Sequence, residues 1–452
     1  MKKKLVSMLL ALTLATGLMA GCSSKSSTQS TKDESATTDT TTTDSTTTDT
    51  AATTDSSDKV TLSLCWWGNQ TRNDLTQQAV DLYMTLNPNV EIKTEFTDWS
   101  GYWDKLSAMA SGGNLPDIIQ MDYSYLSQYQ KSNQLANLST YIDNGTIDTS
   151  NIPSSIIDSG KIDDTCYAIS LGSNAPMMVY DKEIVEKAGV EIPSQPTVEE
   201  LYDLGKTIYE KTGVKTLYDG GTTTLQNTAR SMGVYIYDDI TAGKTEAIKK
   251  HFDYVQKFAE ADFSISPDLL AEKNPDVVET KPIIDQTTWN DFSFSNQYIS
   301  ISNTAEREYG ICMWPTTADA SAQPEYLKPS MFFSVSETSQ NKDEAAKFLD
   351  WFTNSSEANN VLMAERGIPI NTAIADELMA KVDSISAKVF GFISEVTKIA
   401  EPIDPPNPSG AGEVDAMLKT VVENLRYGDL DSEKATEEFL TQAQQILTEA
   451  AK

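Results

Sequence analysis

From Val60 onward the chain alternates between two hydrophobic periods. Val60, Leu62, Leu64 and Trp66 alternate with Thr61, Ser63 and Cys65, which predicts a strand. Asp74 to Asn87 then carries Leu75, Ala79, Leu82, Tyr83 and Leu86 at helical spacing, with Pro88 past the stop. Val90 to Phe96 alternates again, Tyr102 to Ser111 predicts a second helix ended by Gly112-Gly113, and Asp117 to Met121 predicts a short buried strand. The order β-α-β-α-β implies a parallel sheet with right-handed crossovers. A second α/β region follows. Met177 to Asp181 reads as a strand, and Thr197-Val198-Glu199-Glu200 as a capping box opening a helix that ends near Gly213. Asn341 with Glu344 opens a helix from Lys342 to Phe352, Pro402 to Pro408 is an extended loop, and Ala435, Phe439, Ala443, Ile446 and Ala450 form one stripe of a last helix. No internal repeat is visible.

The first residues read as a targeting segment. Lys2, Lys3 and Lys4 precede an apolar run from Leu5 to about Ala20, short for a membrane span and adjacent to a small-residue site. The string Leu18-Met19-Ala20-Gly21-Cys22 resembles the lipobox of bacterial lipoproteins. That resemblance implies that residues 1–21 are a signal peptide and that the Cys22 thiol is acylated, an anchor in the membrane. From there to residue 58 the chain is almost all Ser, Thr, Ala and Asp, with no apolar period to offset the entropy of ordering, so 22–58 reads as a disordered stalk. As a coil it would hold the body roughly 30 Å from the lipid.

Charge narrows the partners. The formal net charge is −31; the signal contributes +3 and the stalk about −5, which leaves about −29 on the body. Such a body has little means of neutralising phosphates, so nucleic acid is excluded, as is adsorption to anionic lipid. Acidity of this kind keeps a chain soluble, and a monomer is expected. Beyond Cys22, the cysteines Cys65, Cys166 and Cys312 are scattered singly without metal-like spacing, which predicts buried free thiols; one disulfide among the three is the alternative.

Each predicted strand of the first region ends in the same chemistry. Trp66, Trp67, Gly68 and Asn69 follow the first, Asp98, Trp99 and Tyr102 the second, and Asp122, Tyr123 and Tyr125 the third. Ligands of open α/β sheets bind outside the carboxyl ends of strands. An aromatic face covers the C–H face of a sugar ring, and amides, hydroxyls and carboxylates meet its hydroxyls. The alternative for any one of these rings is that it belongs to the core.

Several strings together resemble the extracellular solute-binding proteins of sugar ABC transporters, the maltose-binding-like family 1. They are Trp66-Trp67-Gly68, Asn87-Pro88-Asn89-Val90, Trp99-Ser100-Gly101-Tyr102, Ser111-Gly112-Gly113-Asn114-Leu115-Pro116-Asp117-Ile118, Pro176 to Asp181, Lys328 to Val335, and Ala364-Glu365-Arg366-Gly367-Ile368-Pro369. The resemblance implies a periplasmic-binding-protein-like α/β fold of type II, with a ligand cleft between two lobes, hinge closure, no catalysis and no cofactor. Lobe one would comprise 59–171 plus 332–370, and lobe two 172–331 plus 371–452. The partners implied are an oligosaccharide and an ABC permease dimer at the outer face of the cell membrane. A narrower resemblance, to members that take up oligogalacturonides and rhamnogalacturonan fragments, rests on Trp66 to Arg72, Ile119 to Asp122, and Trp289 to Gln297; Asn73 stands where those members often have His. It implies that Arg72 binds a uronate carboxylate, the alternative being a cap or a surface pair with Asp74 or another acid. The expected site is then Trp66, Trp67, Trp99 and Tyr102 as stacking rings with Asn69, Arg72, Asp122 and Tyr123 in lobe one, met by Asn174, Tyr180, Trp289 and Asn296 from lobe two.

Other chemistry lacks its parts. His251 is the sole histidine, beside Lys249 and Lys250 in what reads as an exposed helix, so zinc clusters and Ser-His-Asp triads cannot be assembled. Gly220-Gly221 matches no phosphate loop. A two-carboxylate glycosidase has abundant acids but no marked pair. A sugar-sensing or adhesive surface lipoprotein uncoupled from transport is indistinguishable from the transport reading in sequence.

Overall fold

The computed structural model describes residues 59–451 except 274 and 276. The signal, Cys22 and the stalk lie outside the described residues.

The first sheet is built from β1 (Val60–Trp67), β2 (Val90–Thr97), β3 (Ile118–Met121), β4 (Ile169–Ser170) and a late strand, β8 (Phe332–Val335). Its order is β2-β1-β3-β8-β4. β1 runs parallel to β2 and β3, whereas β8 is antiparallel to β3 and β4. The predicted alternation of β1 survives only in its first half: Leu64, Cys65, Trp66 and Trp67 are all buried. Helices cover both faces there, and a strand buried on both faces has no polar side. The second sheet, β7-β5-β6, is antiparallel throughout, from β5 (Pro176–Tyr180), β6 (Asn290–Phe294) and β7 (Gly310–Cys312).

The helices that bear on the site are α1 (Gln70–Leu86), α2 (Trp99–Ser111), α3 (Tyr123–Lys131), α4 (Val198–Thr212), α5 (Thr222–Ser231), α6 (Glu246–Ala259), α7 (Lys342–Asn354), α8 (Thr372–Met379), α9 (Ser384–Thr397), α10 (Ala411–Tyr427) and α11 (Ser432–Ala450). The capping box forms: Thr197 Oγ1 accepts from the Glu200 amide at 3.1 Å and Glu200 accepts from the Thr197 amide at 2.8 Å. The expected Asn341 cap does not. Asn341 Nδ2 instead donates to the Thr61 carbonyl, and Glu344 accepts from the Tyr83 hydroxyl at 2.8 Å.

Two hydrophobic cores result. One contains Leu64, Trp66, Ile118, Phe332 and Phe348; the other contains Ile248, Phe252, Trp289, Leu418 and Phe439. The first core continues past residue 370, and it also takes in Met177, Val179, Tyr298 and Ile301 from within 172–331. Ile374 and Leu378 of α8 and Val389, Ile393 and Val396 of α9 join the first core, and Thr372 and Asn371 are tied to Asn151 and Asn354. Only α10 and α11 enter the second core after the Pro-rich segment.

Three passes of the chain meet between the cores. Ser173–Asn174 forms an antiparallel ladder with Lys328–Pro329, and Ser173 also bridges Ile368. Gly172 is required there: a Cβ on it would lie 2.3 Å from the Arg366 carbonyl oxygen.

Candidate functional site

The strand tips carry two kinds of residue, and the structure separates them. Asn69, Asp98 and Asp122 are helix N-caps. Asn69 Oδ1 accepts from the Arg72 amide at 2.9 Å, Asp98 Oδ1 from the Gly101 amide at 2.8 Å, and Asp122 Oδ1 from the Ser124 amide at 2.9 Å. The polar residues therefore recur at equivalent positions because each βα turn must satisfy the orphan amides of the next helix. Capping thus engages Oδ1 of both Asn69 and Asp122, which the expected site had assigned to a ligand, and it starts α1 and α2 earlier than the hydrophobic period indicated.

The aromatic residues divide by depth. Trp66 is 0 % exposed, its Nε1 donates to Asn73 Oδ1 at 2.9 Å, and its ring lies 5.2 Å from Phe96. Tyr102 is buried with its hydroxyl on the Gln120 carbonyl at 2.6 Å, and burial pushes its pKa well up. Trp289 is 0 % exposed in the second core, Nε1 donating to Thr216 Oγ1 at 2.9 Å. These three rings are core, not stacking platforms, because each polar edge already has a buried partner. Trp67 is also buried, its ring centroid 4.9, 5.2 and 5.5 Å from Trp99, Tyr102 and Trp103. Trp99 caps that cluster at 45 % exposure. Tyr180 packs face-on to Gly310, where any Cβ would strike its ring, and burial raises its pKa. It forms no part of the cavity described next.

Arg72, Asn174 and Asn296, from three distant parts of the chain, line one cavity of about 340 Å³ at the crossing passes, with Ser295, Ser330, Glu365 and Arg366. Arg72 Nε donates to both Glu365 oxygens, at 2.9 and 3.1 Å. Its terminal nitrogens make no hydrogen bond among the described residues. The neighbouring Arg366 is buried, donates to Thr76 Oγ1 at 2.8 Å and to Gln120 Oε1, and leaves its Nε without a partner. Burial, reinforced by the nearby Arg72 charge, lowers the Arg366 pKa to about 9. The loop preceding it holds Met363 and Ala364 at φ +47° and +59°, backbone that non-glycine residues adopt at a cost and that clusters at functional sites. Ile299, Val389 and Phe390 give the cavity an apolar wall, so amides, a guanidinium and hydrocarbon face one volume.

Tyr123 lies elsewhere, stacked on Phe332 at 6.3 Å with its hydroxyl on the Asp404 carbonyl at 2.7 Å. Asp404 in turn pairs with Arg230, which also donates to the carbonyls of Pro402 and Pro324. Sequence reasoning missed Glu365, Arg230 and Asp404. Glu365 was readable only as part of a motif string, and the other two carry no local pattern.

The remaining candidates have structural roles. His251 is fully buried rather than on an exposed face; Nε2 contacts the Gly220 carbonyl at 3.1 Å, and burial pulls its pKa to about 3. Cys65, Cys166 and Cys312 are free and buried, with burial raising the first two to about 12 and 11. Among the described residues no cluster of His, Cys, Asp and Glu is placed to hold a metal, and no helix is long and apolar enough to cross a membrane.

A two-lobed α/β body, a stitched crossing and a mixed polar–apolar cavity beside it are the arrangement of a solute-binding protein. Residues 67–359 match the bacterial extracellular solute-binding protein family, and the chain belongs to that family. It is 31% identical over 172 residues to the diacetylchitobiose-binding protein of Streptomyces coelicolor, a match covering 38% of this chain and 37% of that one. A family 1 extracellular solute-binding protein from Alicyclobacillus acidocaldarius has a similar structure, with TM-score 0.78 and 27% identity, covering 87% of this chain and 100% of that one. A periplasmic oligogalacturonide-binding protein from Yersinia enterocolitica shares the fold, with TM-score 0.72 and 18% identity over 87% of this chain and 100% of its own. The family is one of extracytoplasmic solute binding.

Proposed function

We propose that this protein captures an oligosaccharide between its lobes by hinge closure and delivers it to the permease dimer of an ABC importer, tethered to the outer face of the cell membrane through Cys22. The observation that carries the reading is the cavity that gathers Arg72, Asn174 and Asn296 at the three-pass crossing. A ligand held there touches residues on both sides of the crossing, which is what couples binding to closure. The relatives named for diacetylchitobiose and oligogalacturonide support a sugar as the solute.

The finer reading is an acidic, pectin-derived sugar. Arg72 is fixed through Nε, so its terminal nitrogens remain for a planar carboxylate, and Arg366 adds a second positive charge against the single Glu365. In a body of strongly negative charge this is a local reversal. A thermal-shift series on the mature protein tests both levels, because a ligand that binds the folded state raises the melting temperature by mass action. Digalacturonate is expected to stabilise the protein more than maltotriose or diacetylchitobiose. A larger shift with the neutral sugars removes the acidic reading, and no shift with any of them removes the sugar reading.

A further inference from the structure

Apart from the ladder at Ser173, the crossing has a second joint, and it closes over a buried acid. Trp314 belongs to the second core and Leu327 to the first, so the chain returns between the cores there. It crosses a last time through the Pro-rich segment, from α9 of the first core to α10 of the second. These two passes lie side by side. Tyr326 and Glu401 form a parallel bridge, and the Glu401 amide donates to the Glu325 carbonyl at 3.0 Å. Glu325 stands in the joint itself, fully buried. Its Oε1 accepts from the Trp314 amide at 2.8 Å, and its Oε2 has no partner.

The surroundings suit the neutral acid and not the carboxylate. Arg230 of α5 is the cation facing it, but that guanidinium is committed elsewhere. Its Nε donates to the Pro324 carbonyl at 2.7 Å, its terminal nitrogens to Asp404 and, at 3.0 Å, to the Pro402 carbonyl, and it lies 4.8 Å from the Tyr326 ring. The Pro-rich segment contributes the Asp404 carboxylate, a like charge, while Glu401 is exposed. β7 contributes the buried Cys312 thiol, and the Tyr326 phenol is buried alongside. On the remaining side Gln323 accepts from the Glu325 amide at 3.1 Å and pairs with Gln195 at 3.0 Å, so neither neighbour carries charge. Burial accordingly raises the Glu325 pKa to about 8, against the lowering effects of the Trp314 amide and Arg230. An ionised Glu325 in this position keeps one hydrogen bond and holds its other oxygen in dry protein, a cost relieved by admitting water. The bond that closes the joint is made by the carbonyl of the same residue, so water drawn to the side chain competes for it.

We propose that Glu325 is a pH-operated pin between the return pass and the last pass: with its proton it keeps them joined, and without it the Pro-rich segment parts from its neighbour and the lobes gain freedom at the crossing. The pin stands on the joint and not on the identity of the solute, so it is tested without sugar. Hydrogen exchange of the mature protein, corrected for the intrinsic rate, is followed by mass spectrometry at about pH 6 and about pH 9 in the parent and in Glu325→Gln, which keeps the shape of the neutral acid and cannot ionise. Between the two conditions the ratio of parent to variant exchange around Glu401 is expected to rise at least about tenfold, at times when α7 in the first core is still protected. Glu325→Met, likewise unable to ionise, gives the same comparison if the glutamine variant does not fold. A constant ratio overturns the pin, because ionisation then leaves the joint closed. Exchange around Glu401 that comes only together with α7 also overturns it, because the whole body then opens and not the joint.

Discussion

Trp289 separates the core reading of an aromatic residue from a ligand reading most sharply. Its ring is fully buried in the second core, its Nε1 donates to Thr216 Oγ1 at 2.9 Å, and Thr216 is itself fully buried. Truncation in Trp289→Ala removes a large buried ring, a loss of about 3–5 kcal/mol. Trp289→Phe keeps most of the hydrocarbon but strands the Thr216 hydroxyl without its donor, about 1–2 kcal/mol. At roughly 2–4 °C per kcal/mol for a unit the size of one lobe, the Ala variant melts roughly 10 °C lower and the Phe variant a few degrees lower. Urea unfolding with fluorescence detection gives the stability change, and calorimetry with the stabilising sugar gives affinity on the same samples. The expected outcome is a graded stability loss, with affinity in folded Phe variant close to that of the parent. If Trp289→Ala kept its melting temperature and lost sugar binding, the ring would be a ligand platform and the burial argument would be refuted.

Three further outcomes are expected. Arg72→Gln should weaken digalacturonate binding at least about tenfold while changing maltotriose binding far less, as charge-assisted bonds exceed neutral ones; equal losses for both would show that Arg72 does not read a carboxylate. Glu325 is 0 % exposed, its Oε2 has no partner, and burial raises its pKa from 4.5 to about 8 against the lowering effects of the Trp314 amide and Arg230. The folded state thus holds this proton more tightly than the unfolded chain, so the contribution is fully present below pH 4.5 and is lost as pH rises through about 8. Relative to Glu325→Gln, the parent should lose up to about 1.4 kcal/mol per pH unit across that window in urea titrations, and a parallel pair of curves would sink the assignment. Arg230→Met should destabilise by about 3 kcal/mol because it leaves the largely buried Asp404 carboxylate unpaired; adding Asp404→Asn should recover part of that loss, and strict additivity in the double-mutant cycle would deny the coupling.

The sequence made the β-α-β-α-β opening legible because its hydrophobic periods are long and its stops are marked by Pro88 and Gly112-Gly113. Arg72, Asn174 and Asn296 were likewise nameable in advance. Their convergence was not, since it depends on chain crossings hundreds of residues apart. The polar strand-tip residues misled for a physical reason: capping a helix and binding a hydroxyl call for the same short oxygen-bearing side chains. Trp66 and Trp289 misled because indole is amphipathic, and a buried N–H acceptor such as Asn73 or Thr216 is invisible in one dimension.

The shared ladder of Ser173, Lys328–Pro329 and Ile368 has a mechanical corollary. A chain that passed between lobes once would be a swivel, free to twist as well as bend. Three passes joined edge to edge make a book spine: pages can fold about its long direction, but shearing or unscrewing one against another tears hydrogen bonds at every thread. Motion along one degree of freedom is what lets a small guest, gripped near the binding, set the angle of both covers.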